Sequence, residues 1–216
     1  MYKILFTGLL GTMVTIPLVQ TVAAKTSISI GRATSRVTTL IAESNAQNTT
    51  QPAVNYLVSA LQKYNKQDYR GAVADYDRAI LIDPNYAKAY SYRGFVKAGQ
   101  LQDYRGGLTD LNRAIQLDPK LADAYMNRGQ LKEQALHDVR GGLADYNLAI
   151  KLNPKFAIAY ANRGILKHDL LRDRSGGIAD LQQAIRLFQQ QGDTENYQVV
   201  TEKLKKWQQA GKNSSS

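Results

Sequence analysis

Arginines and aspartates recur in this chain at places where they could do chemistry. Arg93, Arg128 and Arg163 stand 35 residues apart, and Asp75, Asp110, Asp145 and Asp180 keep the same spacing. A guanidinium can grip a carboxylate through two parallel N–H···O bonds. Two uses follow: the two sets can pair as a structural ladder between helices, or the arginines can catch a ligand carboxylate. Val58 stands one period before Arg93, so one aspartate is expected to go without this partner. His137 and His168 are the only histidines, and neither lies in an HExxH or other metal-ligand pattern. Both read as surface or turn residues. With no cysteine, the chain has no disulfide, thiolate metal site or cysteine nucleophile. There is no Gly-x-Ser-x-Gly elbow, and acidic pairs such as Asp75/Asp77 follow helical surface spacing. No catalytic residue, metal site or cofactor is expected.

The spacing of these residues belongs to a larger repeat. AYSYRGFVKAGQLQDYRGGLTDLNRAIQLDP (89–119), AYMNRGQLKEQALHDVRGGLADYNLAIKLNP (124–154) and AYANRGILKHDLLRDRSGGIADLQQAIRL (159–187) are in register, and a divergent copy precedes them. Pro84, Pro119 and Pro154 fall 35 residues apart. A fixed period of this length indicates stacked units rather than one globular core. Each unit reads as two antiparallel helices. The first helices are expected near 54–66, 88–101, 123–136 and 158–171, and the second near 69–82, 104–117, 139–152 and 174–190. Asp68, Asp103, Asp138 and Asp173 stand where they can cap the second helices. Asp-Pro or Asn-Pro stops three of those helices. Gln189 replaces the fourth proline, so that helix is expected to run on. Asp193 or Thr194 can then start a last helix whose Tyr197, Val200, Leu204 and Trp207 share one face. Gly94, Gly129 and Gly164, with Gly107, Gly142 and Gly177, read as paired contacts where two helix backbones approach. They are not phosphate loops, because no strand precedes them and no Gly-Lys-Ser/Thr follows.

These residues resemble the tetratricopeptide repeat. Tyr90/Gly94, Tyr125/Gly129 and Tyr160/Gly164 match its first helix. Ala72, Gly107, Gly142 and Gly177 match the small residue of its second helix. Ala79, Ala114, Ala149 and Ala184 match its later alanine, and the three prolines its close. The repeat here is one residue longer than usual, and the extra residue falls between the first-helix glycine and the turn aspartate. The resemblance implies an all-α, right-handed solenoid of four helix-turn-helix repeats with a C-terminal capping helix. It also implies a concave groove lined by first helices, where another protein or an extended peptide binds. By register that groove is lined by Tyr56, Tyr92, Phe95, Met126, Asn127, Gln130, Asn162 and Ile165. Some members clamp a peptide carboxylate with lysine and asparagine; Tyr56 and Ala60 hold those places here, so an aromatic and amide-lined groove is expected instead. The wording YxNRG…DxxGGxADxxxAI also resembles repeat proteins common in cyanobacteria.

The chain divides into 1–24, a signal peptide or membrane anchor; 25–52, a spacer rich in Ser, Thr, Asn and Gln; 53–192, the four repeats; 193–210, the capping helix; and 211–216, a disordered tail. Lys3 precedes an apolar run, and Val22 and Ala24 suit a cleavage site after Ala24. The rival is an uncleaved anchor, since the uncharged stretch 4–24 is long enough to cross a bilayer and would give the chain its membrane contact. Either way the repeats lie outside the cytoplasm, in a periplasm or thylakoid lumen if the cyanobacterial likeness holds. The expected function is a non-catalytic scaffold or adaptor for protein–protein interaction, with assembly of a membrane complex as a job that fits. The alternative is a membrane-anchored adaptor whose basic surface meets anionic lipid or nucleic acid. The net charge is +10, but it gathers in no block of like charges, so nucleic acid is not the expected partner. Mass spectrometry of the protein from its host is expected to find a terminus near Lys25; an intact Met1 terminus in the membrane fraction would favour the anchor.

Overall fold

The computed structural model describes residues 51–213. The leader or anchor at 1–24, the spacer up to residue 50 and residues 214–216 lie outside the described residues. Every element within them is helical. The order is α1 (Gln51–Asn65), α2 (Tyr69–Ile82), α3 (Ala87–Gly99), α4 (Tyr104–Leu117), α5 (Ala122–Gln134), α6 (Val139–Leu152), α7 (Ala157–Ile165), α8 (Arg174–Gln190) and α9 (Thr194–Asn213). A π-helical turn, Leu166–Leu170, continues α7. Consecutive helices pack in antiparallel pairs, α1 with α2 through α7 with α8, and α9 closes on α8.

Local chemistry sets the helix ends. Asp68, Asp103, Asp138 and Asp173 each accept the backbone N–H three residues on, at 2.9, 2.9, 2.8 and 2.9 Å. Each carboxylate thereby satisfies one orphan donor at the positive helix end. At the other end Asp83, Asp118 and Asn153 leave helical geometry before their prolines. Their side chains accept from Asn85, Lys120 and Lys155 N–H at 3.0, 2.9 and 3.1 Å, which turns the chain into the next first helix.

The two helices of a pair cross at glycine. A methyl group on Gly94 would lie 2.9 Å from the Gly107 carbonyl oxygen, and one on Gly107 would lie 2.8 Å from that of Gly94. Each glycine costs about 1 kcal/mol of helix propensity, but a side chain there would force the backbones apart. The first pair makes its crossing with Ala60 and Ala72, both fully buried.

The extra residue of the longer repeat is absorbed where the first helix ends. Leu101, Leu136 and Leu171 N–H reach back five residues, to Val96, Leu131 and Leu166 C=O, at 3.2, 3.2 and 3.1 Å. Asp103, Asp138 and Asp173 N–H reach back six, to Lys97, Lys132 and Lys167 C=O. The helix therefore widens over its last turn, and in α7 the widening forms a full π turn. A left-handed residue then points the chain at the cap: Gln67, Gln102, His137 and Arg172 have φ of 63°, 57°, 54° and 57°. The first connection is one residue shorter, and Asp68 N–H reaches back only five, to Lys63 C=O at 2.9 Å. This shifts α1 by one residue against the register of the other first helices.

The fourth second-helix runs through to Gln190 where the others meet proline. Asp193 caps α9, accepting from Asn196 N–H at 3.2 Å and from its Nδ2 at 2.9 Å. Val200 and Leu204 are buried on α8, with Tyr197 and Trp207 packed beside them. Trp207 stacks on the His168 ring, centroids 3.6 Å apart. Lys203 of α9 reaches Asp169 in the π turn at 3.1 Å.

One buried position alternates along the second helices: Tyr76, Leu111, Tyr146, Leu181. The Tyr146 hydroxyl donates to Glu133 Oε2 at 2.7 Å. Burial raises the Glu133 carboxyl to about 7; Tyr146 opposes the rise and Asp169 adds to it. The folded chain thus holds this proton more tightly than the unfolded one. The stability it contributes is full below the unfolded value of 4.5 and is lost as pH rises through about 7. Glu133→Gln is expected to remove that loss, on the order of 3 kcal/mol. Thermal melts from pH 4 to 8 would check it, with the variant gaining on the wild type as pH rises.

Candidate functional site: an arginine ladder behind a first-helix groove

The recurring arginines and aspartates meet between the paired helices. Arg93 Nε donates to Asp110 Oδ2 at 2.8 Å and its Nη2 to Oδ1 at 2.6 Å. Arg128 grips Asp145 the same way at 2.9 and 2.7 Å, and Arg163 grips Asp180 at 2.8 and 2.6 Å. Lys97, Lys132 and Lys167, one helical turn on, each add a contact to the same aspartate at 2.9 Å. The remaining terminal nitrogen of each arginine reaches back one repeat, to Asp77 at 2.6 Å, Asn112 at 2.9 Å and Asn147 at 2.8 Å. Each guanidinium also lies over the tyrosine three residues earlier, 5.3 Å from Tyr90, 5.5 Å from Tyr125 and 5.4 Å from Tyr160. One side chain therefore ties together three helices of two repeats.

Asp75 has no first-helix arginine, and other groups pair it instead. The shorter first connection puts Ser59, not Val58, at the arginine's place. Ser59 Oγ donates to Asp75 at 2.6 Å, and Lys63 and Arg78 each approach it at 2.6 Å. Burial acts to raise the Asp75 carboxyl, but Lys63, Ser59 and Arg78 outweigh it and hold it below its ordinary value. Counting from the second helix hid this register change; counting from Tyr56 and Ala60 reveals it.

The ladder geometry favours the structural use of these arginines. Every nitrogen of Arg93, Arg128 and Arg163 is engaged, so no free fork faces a ligand carboxylate. Arg128→Leu is expected to destabilise the fold by about 3 kcal/mol, because a buried carboxylate loses its main partner while Lys132 keeps the other contact. Arg128→Leu combined with Asp145→Leu should recover much of that loss in denaturant melts. An unchanged melt for the single variant would show that the pair supports nothing.

Seven of the eight expected groove residues lie on α3, α5 and α7, whereas Tyr56 of α1, moved by the one-residue shift, takes the place of Tyr90, with the Arg78 guanidinium 5.6 Å from its ring. Tyr64 of α1 meets Phe95 of α3 with ring centroids 5.9 Å apart. Asn127 of α5 donates to Ser91 Oγ of α3 at 3.3 Å, and Asn162 of α7 lies 3.9 Å from Met126 Sδ of α5. The eight positions are not equally accessible. Phe95, Met126 and Ile165 are core residues, and Asn127, Gln130 and Asn162 are also buried, while Tyr56 and Tyr92 are half-buried. Burial, reinforced by Asp123, pushes the Tyr92 phenol well up, so it stays a neutral donor.

A cavity of about 390 Å³ opens between α3 and α5 at their C-terminal ends. Phe95, Asn127 and Gln130 line it, joined by Gln100, Tyr104 and Gln134 from the widened turns. Sequence register found the first three and missed the others. Their signal was the recurrence of glutamine and an exposed ring around the left-handed turn. Among the described residues, no group of three or more His, Cys, Asp and Glu could hold a metal ion, and no helix is long and apolar enough to cross a membrane.

Comparison with known proteins agrees with this architecture. A family model described as TPR repeat matches residues 60–100. No curated protein matches the chain. The first TPR of Spaghetti (RPAP3), bound to the HSP90 peptide SRMEEVD, is similar at 20% identity and TM-score 0.52, over 56% of this chain and 95% of that one. MamA is similar at 20% identity and TM-score 0.51, over 74% of this chain and 89% of its own. A mutant of the Thermobaculum terrenum O-GlcNAc transferase is similar at 20% identity and TM-score 0.58, but over only 27% of that chain, so nothing of its chemistry carries over. The described chain has the all-helical fold of TPR solenoids, helix pairs closed by a capping helix.

Proposed function

We propose that this chain is a non-catalytic scaffold that binds another protein, as an extended peptide, across its first helices. The observation that carries the reading is the strip of aromatic and amide side chains continuous from α3 to α7, backed by a ladder whose arginines are all engaged. Aromatic surface supplies contact area at low entropy cost, and buried amides supply donors and acceptors for a peptide backbone. One similar fold, the RPAP3 repeat domain, is bound to a peptide, which supports the mode of binding without naming a partner here. We further propose that the protein is exported, to a periplasm or thylakoid lumen, and serves assembly of a membrane complex. The leader-like residues 1–24 and the wording of the repeats support this.

Site-specific photo-crosslinking in the native host tests the reading. A photoreactive residue at Tyr92 or Gln134 is expected to trap the same partner, and one at exposed Lys151 on α6 is expected to trap none of it. Crosslinking from Lys151 alone would move the interface to the outer face. Capture that collapses steeply with salt, together with a retained Met1 terminus, would favour the anchored adaptor with a basic contact surface.

A further inference from the structure

The second helices turn a basic surface outward. Arg70, Arg105, Arg140 and Arg174 lie exposed in the first turns of α2, α4, α6 and α8. Arg78, Arg113, Lys151 and Arg186 lie exposed further along the same helices. Asp77 is the one exposed acid on these four helices, and Arg93 holds it. The other acids, Asp75, Asp110, Asp145 and Asp180, are buried in the ladder. Folding therefore gathers a charge that the sequence spreads: carboxylates go inward and guanidinium groups stay outside. A cation in the first turn of a helix opposes the helix dipole, so the four first-turn arginines do not serve helix stability. No side chain among the described residues engages Arg70, Arg105, Arg140 or Arg174.

Apolar side chains collect beside these arginines. Four of the five leucines exposed among the described residues, Leu101, Leu136, Leu170 and Leu171, lie where a first helix turns into its second. Leu101, Leu136 and Leu171 stand 35 residues apart, and Lys66 takes their place in the first turn. The backbone N–H of each of these three leucines reaches back five residues, so the widened turn presents the side chain from a fixed backbone. The acids of this edge are occupied. Asp68, Asp103, Asp138 and Asp173 accept backbone N–H groups, and Lys203 holds Asp169.

We infer that the edge formed by these turns and the first turns of the second helices docks on an anionic lipid bilayer. Leucine beside arginine, repeated from pair to pair, matches the boundary between headgroups and acyl chains. The guanidinium pairs with lipid phosphate, and the leucine enters below it. A nucleic acid would take the arginines and leave the leucines in water, and none of the four is a ring on which a base could stack. Uncleaved, the uncharged stretch 4–24 is long enough to cross a bilayer and would deliver this edge to one; cleaved, the edge itself supplies the contact. The inference goes beyond the groove reading and does not depend on it.

The chain has no cysteine, so one introduced cysteine carries an environment-sensitive fluorophore at a single known place. The test uses the full-length protein and vesicles of phosphatidylcholine with about one third phosphatidylglycerol. A label at Leu136→Cys or Leu171→Cys is expected to shift to the blue and to be quenched by spin-labelled lipid. A label at Lys120→Cys, in the connection at the opposite end of the helix pairs, should do neither. Arg70→Gln, Arg105→Gln and Arg140→Gln together should raise the vesicle concentration needed for the Leu136 response at least about 10-fold, with helicity unchanged by circular dichroism. Insertion of residues 4–24 alone would leave all three labels in water and overturn the inference. Equal responses on neutral phosphatidylcholine vesicles would overturn it too, as would a blue shift with an oligonucleotide or polyglutamate and none with vesicles. The groove reading fails separately, by crosslinks to the protein partner from Lys151 alone.

Discussion

A carboxylate buried between two helices has to be paired, and in this solenoid that requirement fixes how every helix pair sits. Asp110, Asp145 and Asp180 each hold one arginine by two bonds and one lysine by a third. The geometry is met only if the first helix crosses the second at one height and one rotation. The glycine crossing beside it removes the side chains that would keep the backbones apart. Because each arginine also reaches the previous second helix, the same residue sets the spacing between repeats. Breaking one partner strands charge in the core, whereas replacing both with apolar residues does not.

That arrangement divides the labour across the molecule. Charge is consumed inside the ladder, and the first-helix face beyond it carries rings and amides. A groove lined by rings and amides reads a partner by shape, apolar contact and neutral hydrogen bonds. On the proposed reading this suits an extended peptide whose backbone needs donors and acceptors. The two ends are finished differently. In the first pair, Ser59 and Lys63 of α1 and Arg78 of α2 together replace the missing arginine. At the far end α9 covers the last pair with Val200 and Leu204 and ties itself down through Trp207 on His168.

Much of this could be read from residue spacing. The period, the aspartate caps, the helix-stopping prolines and the extension of α8 follow from local rules of helix ends, and such rules act within a few residues. The arginine–aspartate partners were also visible, because a strict repeat turns one contact into three. What was not legible depended on three-dimensional register. A single missing residue before Asp68 moved Ser59 into the arginine's place, and one-residue shifts are invisible to a search for a fixed period. The burial of Phe95 and Met126, and the cavity that Gln100 and Tyr104 help to close, depend on how the widened turns lie against the next helix. Glu133 could not be singled out either, since its raised proton affinity comes first from burial by the elements packed over it, with Asp169 adding to it.

The central claim is that the ladder supports and the first-helix face binds. Hydroxyl-radical footprinting of the full chain, alone and with its captured partner, tests it most directly. The account predicts that Tyr92 and Tyr104 lose reactivity in the complex. Leu81, 82% exposed on α2, should react equally in both states. Protection of Leu81 with undiminished reactivity at Tyr92 and Tyr104 would contradict it.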